Sequence, residues 1–147
     1  MSAGPASNTF DGATPIFCVK NVPVSVEYYV NVLGFKVDWQ SGYPGSAPGF
    51  ASVSRGRCHI FLCEQDQGNP GAWTWIGVTD TDSLEAEFRP KGAKIRNPPT
   101  NYPWAYEMQV EDPDGNVLRF GAEPKKDQPF GLFRDMHGRL WPPYGTA

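Results

Sequence analysis

The sequence predicts an α+β fold in which two β-α-β-β-β modules form curved mixed sheets around a cleft. Three observations carry this. Helix-spaced apolar residues close on a glycine twice, at Gly34 and at Gly92, which stand 58 positions apart. Val53 with Glu111 and Phe61 with Arg119 keep the same offset, so the strands after each helix repeat as well. Neither half alone can bury both faces of a helix and a sheet, so the two must pack together or against another chain.

The elements follow in order. Residues 1–12 are small and polar and read as a flexible tail. "ATPIFCVKN" reads as a strand, with Pro15 tolerated near its start or on an edge. Asn21 can cap the next helix and Pro23 fits its first turn. Val22, Val26, Tyr29, Val30 and Leu33 recur at helical spacing, and Gly34 suits the C-cap. "FKVDWQ" is the next strand. After the loop "SGYPGSAPG", "FASVSRGRCHIFLCE" reads as a hairpin turning near Arg55-Gly56.

The second module opens on the strand "WTWIGVTD". Asp82 with Glu85 forms a capping box for a short helix through Phe88, which Pro90 and Gly92 end. "AKIR" begins a strand, and "AYEMQVEDPDGNVLRF" is a second hairpin turning at Asp112-Pro113-Asp114-Gly115. The modules span about 13–64 and 72–123 within one domain, 13–123. Residues 124–147 form an extension whose Phe130, Phe133, Leu140 and Trp141 are too apolar for a free tail. It is expected to pack on the body or on a partner subunit.

Composition narrows the function. A chain of 147 residues with 39% hydrophobic and 20% charged residues has room for one real core. A net charge of -3 without a Lys/Arg stripe argues against nucleic acid. No apolar run reaches the length of a membrane span. Cys18, Cys58 and Cys63 are an odd number without CxxC spacing, which fits a reducing cytoplasm. His59 and His137 are the only histidines, and no Cys, Asp or Glu stands near either at ligand-like spacing. No phosphate loop, Ser-His-Asp set or paired catalytic carboxylate is recognisable.

"FCVKNVPVSVEYYVNVLGFKVDW", "WIGVTDTDSLEAEF" and "YEMQVEDPDGNVLRF" resemble the glyoxalase/bleomycin resistance protein/dioxygenase superfamily, the vicinal oxygen chelate fold, over roughly residues 14–123. The resemblance implies a homodimer. It also implies four metal-ligand positions, on the first and last strands of the modules, which fall here on Thr14, Trp73, Phe61 and Arg119. None is a histidine or a carboxylate, so the resemblance is closest to the metal-free, bleomycin-resistance-like members, with no cofactor, no metal and no catalytic residue assigned. Antibiotic-sequestering relatives use two crevices at the dimer interface.

The expected function is metal-independent binding or sequestration of a small aromatic or heterocyclic molecule, such as an antibiotic of the bleomycin type. The negative chain favours a cationic guest. Alternatives are a lyase, isomerase or dioxygenase of the same superfamily, working through a misplaced metal set or through His59 and Glu107, or a structural or regulatory interaction module. The expected ligand-binding residues are Trp39, His59, Phe61, Trp73, Trp75, Trp104, Tyr106 and Arg119, because flat rings bury planar ligands and a guanidinium fixes an anionic or carbonyl group. Arg119, a cation within an apolar run, is expected to point into the inter-module cleft. Its expected partners are Glu107, Glu111, a backbone carbonyl or the ligand itself. Arg119→Leu is then expected to weaken binding while leaving the fold intact.

Overall fold

The computed structural model describes residues 7–42 and 44–143. The first module runs β1 (Ile16–Cys18), α1 (Val22–Asn31), β2 (Lys36–Ser41), β3 (Phe50–Arg55) and β4 (Cys58–Cys63). The second runs β5 (Trp73–Gly77), α2 (Thr81–Phe88), β6 (Lys94–Asn101), β7 (Tyr106–Glu111) and β8 (Val117–Ala122). Each makes a four-stranded mixed sheet, in the orders β1-β4-β3-β2 and β5-β8-β7-β6, with only the first pair parallel. The expected pair of β-α-β-β-β modules is present. Of the expected tail, residues 1–6 lie outside the described residues, and 7–12 are exposed without secondary structure.

Asn21 caps α1, its side chain accepting from the Val24 amide at 2.9 Å, an interaction of about 1 kcal/mol. The helix ends at Asn31 with Val32 as its C-cap, and Gly34 follows in the left-handed region at φ 73°. α2 is capped by Asp80 rather than by the expected Asp82–Glu85 box. The Asp80 carboxylate accepts from the Ser83 amide, two residues earlier than the pattern predicts. A single 3₁₀ turn, Arg89–Lys91, then runs into Gly92 at φ 87°.

Alternation along the strands sends Phe17, Ala51, Val53, Ile60 and Leu62 of one sheet, and Met108, Val110, Leu118 and Phe120 of the other, into one shared core. Val22, Tyr29 and Leu33 enter it from the α1 side and Phe88 from α2. Each large side chain buried here stabilises the fold by about 1.5–3 kcal/mol. Polar contacts join the same sides. The Tyr29 hydroxyl donates to Asp112 at 3.0 Å, the Tyr28 hydroxyl to the Glu111 carbonyl at 2.7 Å, and Arg55 pairs through both amino groups with Glu87. The modules therefore meet through their helix-bearing sides, and the opposite face of each sheet is turned away from the shared core.

Beyond β8 the chain forms a short hairpin, β9 (Phe133–Arg134) and β10 (Leu140–Trp141). It packs back on the second sheet, where the Gln109 side-chain amide donates to the Arg134 carbonyl and Arg96 reaches the Asp135 carbonyl. Among the described residues no helix is long and apolar enough to cross a membrane.

Candidate functional site

The open face of the first sheet carries three rings. Trp39 stacks on Phe50 with centroids 5.3 Å apart and planes 13° from parallel, and Phe61 closes the group at 5.5 Å from each. Trp39 is 43% exposed although it sits in a strand. A register shift between Val37 and Trp39 in the β2–β3 pairing marks a bulge. Its effect is that Asp38 and Trp39, consecutive residues, both work on this face. Asp38 accepts from the hydroxyls of Ser54 at 2.7 Å and Ser52 at 2.9 Å, and lies 3.3 Å from His59 Nδ1. These donors, Ser54 foremost, hold its carboxyl below the usual carboxylate range.

The open face of the second sheet is part filled. Arg119 makes a two-pronged pair with Glu107, at 2.8 and 2.9 Å, and the Trp104 indole N–H donates to the same carboxylate. Trp104 stacks on Tyr102 at 4.7 Å, and Phe133 of the C-terminal hairpin stands edge-on to both. The Arg119 guanidinium lies 5.0 Å from the Phe133 ring. Trp104, Phe133, Asp135, Trp141 and Pro142 enclose a slot of about 370 Å³. Asp135, bound foremost by the Trp141 indole, has its carboxyl lowered to about 2. Trp75 lies across Gly121, where an added Cβ would meet the indole at 2.6 Å, so only glycine seats the ring there. The Arg96 guanidinium covers the Trp73 ring at 5.1 Å.

A separate cleft of about 750 Å³ lies between the modules, with Arg55 to His59 on one wall and β5 with α2 on the other. Of the eight expected site residues only His59 and Trp75 line it. Trp39 and Phe61 belong to the ring group of the first sheet. Trp73, Trp104 and Arg119 belong to the second sheet's open face. Arg119 is thus not in the inter-module cleft, because the parity of β8 turns it away from the shared core; its partner is Glu107. Tyr106 lies on the helix side with Met108 and Val110, and its hydroxyl donates to Asp82. Burial, followed by that contact, pushes its pKa up to about 12. It is a core residue.

Sequence reasoning missed Asp38, Phe50, Ser52 and Ser54. Strict alternation puts Asp38 on the face opposite Trp39, and nothing in "FKVDWQ" announces the bulge. Phe50, Ser52 and Ser54 were readable from the alternation in "FASVSR". The parallel register places Ile16 beside Phe61 and Trp75 beside Arg119, two residues on from Thr14 and Trp73. Isoleucine, phenylalanine, tryptophan and arginine offer a metal no ligand atom. Among the described residues no three His, Cys, Asp or Glu side chains are grouped to hold a metal ion.

A family model described as Glyoxalase/Bleomycin resistance protein/Dioxygenase superfamily matches residues 13–120. Comparison with curated proteins finds no match. Among solved structures, the bleomycin-binding protein from bleomycin-producing Streptomyces verticillus, complexed with copper(II)-bleomycin, is 28% identical. Its TM-score is 0.65, over 79% of this chain and 98% of that one. TnmS3, an antibiotic binding protein from Streptomyces sp. CB03234, is 21% identical with a TM-score of 0.65, over 83% and 100%. TioX from Micromonospora sp. ML1 is 18% identical with a TM-score of 0.67, over 75% and 96%. The last two are similar in fold.

Proposed function

Because the chain belongs to the glyoxalase/bleomycin resistance protein/dioxygenase superfamily, we propose that it binds and sequesters a small aromatic or heterocyclic molecule without a metal. The observation that carries this reading is the Trp39–Phe50–Phe61 group. Three rings stand together on a sheet face turned away from the core, with Trp39 43% exposed. Exposed aromatic area of this kind is stabilised when a flat guest or another protein surface covers it. The 28% identity to a bleomycin-binding protein supports an antibiotic-like guest, and the net charge of -3 supports a cationic one.

The chain works as a homodimer in this reading. Each first-sheet open face meets the second-sheet open face of the partner, and two equivalent crevices form. Trp75, 50% exposed over Gly121, and the hairpin-lined slot then complete a crevice begun by Trp39. The three free thiols suit a reducing cytoplasm.

Tryptophan emission of chelator-treated protein, titrated with copper(II)-bleomycin and a panel of planar cationic antibiotics, tests the proposal. Saturable quenching by at least one compound, at one per subunit, is expected. A flat response across the whole panel contradicts the reading.

A further inference from the structure

Beside the ring group, the same sheet face carries an arrangement that stacking alone does not use. Ser54 pairs with His59 and Ser52 with Phe61 across β3 and β4, so the Asp38 cluster and the rings are adjacent steps along one face. Asp38 receives two hydroxyl donors and faces His59 Nδ1. An ionised carboxylate can only accept, so the hydrogen between the two must reside on Nδ1. The neutral imidazole then carries its lone pair on Nε2. That nitrogen makes no hydrogen bond among the described residues, and the side chain is 51% exposed. Asp38, set on the same face as Trp39 by the bulge, therefore fixes the tautomer of His59.

We propose that His59 Nε2 is the acceptor that selects, among flat aromatic guests, those bearing an O–H or N–H donor at the ring edge, with Asp38 as the residue that positions it. This rests on the ring platform proposed above and adds to it a chemical class: a hydroxy- or amino-aromatic, recognised by stacking on Trp39 and Phe61 and by one directed hydrogen bond. Ser52 and Ser54 serve indirectly. With His59 they fill three of the roughly four acceptor sites of Asp38, which limits the carboxylate's capacity to take the ligand's donor itself.

Two probes with one ring system separate the terms: 2-naphthol, which has a donor, and 2-methoxynaphthalene, which has none and is the more apolar. Titration of the whole protein is expected to show 2-naphthol binding about five-fold more tightly, the worth of about one net hydrogen bond. In His59→Phe the ratio is expected to fall to about one or below. In Asp38→Asn an amide N–H can donate to Nδ1 and move the imidazole hydrogen to Nε2, so the preference is expected to narrow or reverse. Equal wild-type affinities, or a ratio that survives His59→Phe, overturn the acceptor while leaving the platform standing. A ratio unchanged in Asp38→Asn overturns the positioning role. Failure of both probes to bind overturns the platform and this inference with it.

Discussion

Glu107 is only 1% exposed, and its charge is held by Arg119 and by the Trp104 indole. Its partner Arg119 keeps 24% of its side chain in solvent. The two sides of the pair are therefore unequal. Removing the arginine strands a buried carboxylate, at a cost of about 2–4 kcal/mol. Arg119→Leu is expected to lower the unfolding free energy read from the urea midpoint by that amount, against the simple expectation that leucine would fit there harmlessly. The double variant Arg119→Leu/Glu107→Leu is expected to recover most of the loss, since no charge is then left alone in the interior. An unchanged midpoint in the single variant would show that the pair is dispensable. In "NVLRF" the arginine is visible as an oddity and Glu107 as an eligible partner. The direction in which Arg119 points was not legible, because it depends on which sheet face meets the helices.

Arg55 of β3 and Glu87 of α2 tie the modules together at one edge of the shared core. The Arg55 hydrogen bonds lower the Glu87 carboxyl below its ordinary 4.5, so the ionised form favours the fold. That stabilisation is complete above the ordinary value and is lost as pH falls through the lower folded value. With the two side chains 40% and 33% exposed, solvent holds it under about 1 kcal/mol. Glu87→Gln is expected to flatten the acid limb of stability below pH 4.5, and identical acid limbs would remove the tie from the account. The β9–β10 hairpin is a second tie, placing Phe133 against Tyr102, Trp104 and Arg119. Phe133→Ala is expected to cost about 2 kcal/mol in denaturant unfolding and to raise the accessibility of the already 37% exposed Trp104 to quenchers. No change in either would mean that the hairpin rests loosely. The apolar residues of the extension signalled packing from sequence, but two-residue strands carry no periodicity to read. Likewise β6 runs through Pro98 and Pro99, which look like a strand's end. It is an edge strand with two register shifts, where missing amide donors are tolerated.

At the scale of the molecule, one core built from both helix-bearing sides leaves two sheet faces outward, and the aromatic residues divide between them. The repeat, the hairpins and the two-module plan were legible because period-2 and helix-spaced patterns write them locally. The division of the eight expected site residues among a ring platform, a covered sheet face, a cleft and the core was not, because it follows from packing between distant segments. A dimer that brings the faces together is expected to sediment at twice the 16.2 kDa of the chain. A monomer at binding concentrations would remove the shared crevice. The most direct test of the central claim is isothermal titration of chelator-treated wild-type protein beside Trp39→Ala, with the tightest planar ligand of the antibiotic panel. Saturable binding is expected in the wild type, with an affinity about ten-fold or more weaker once the indole is gone. Equal affinities in the two proteins, or no saturable heat from any member of the panel, would contradict it.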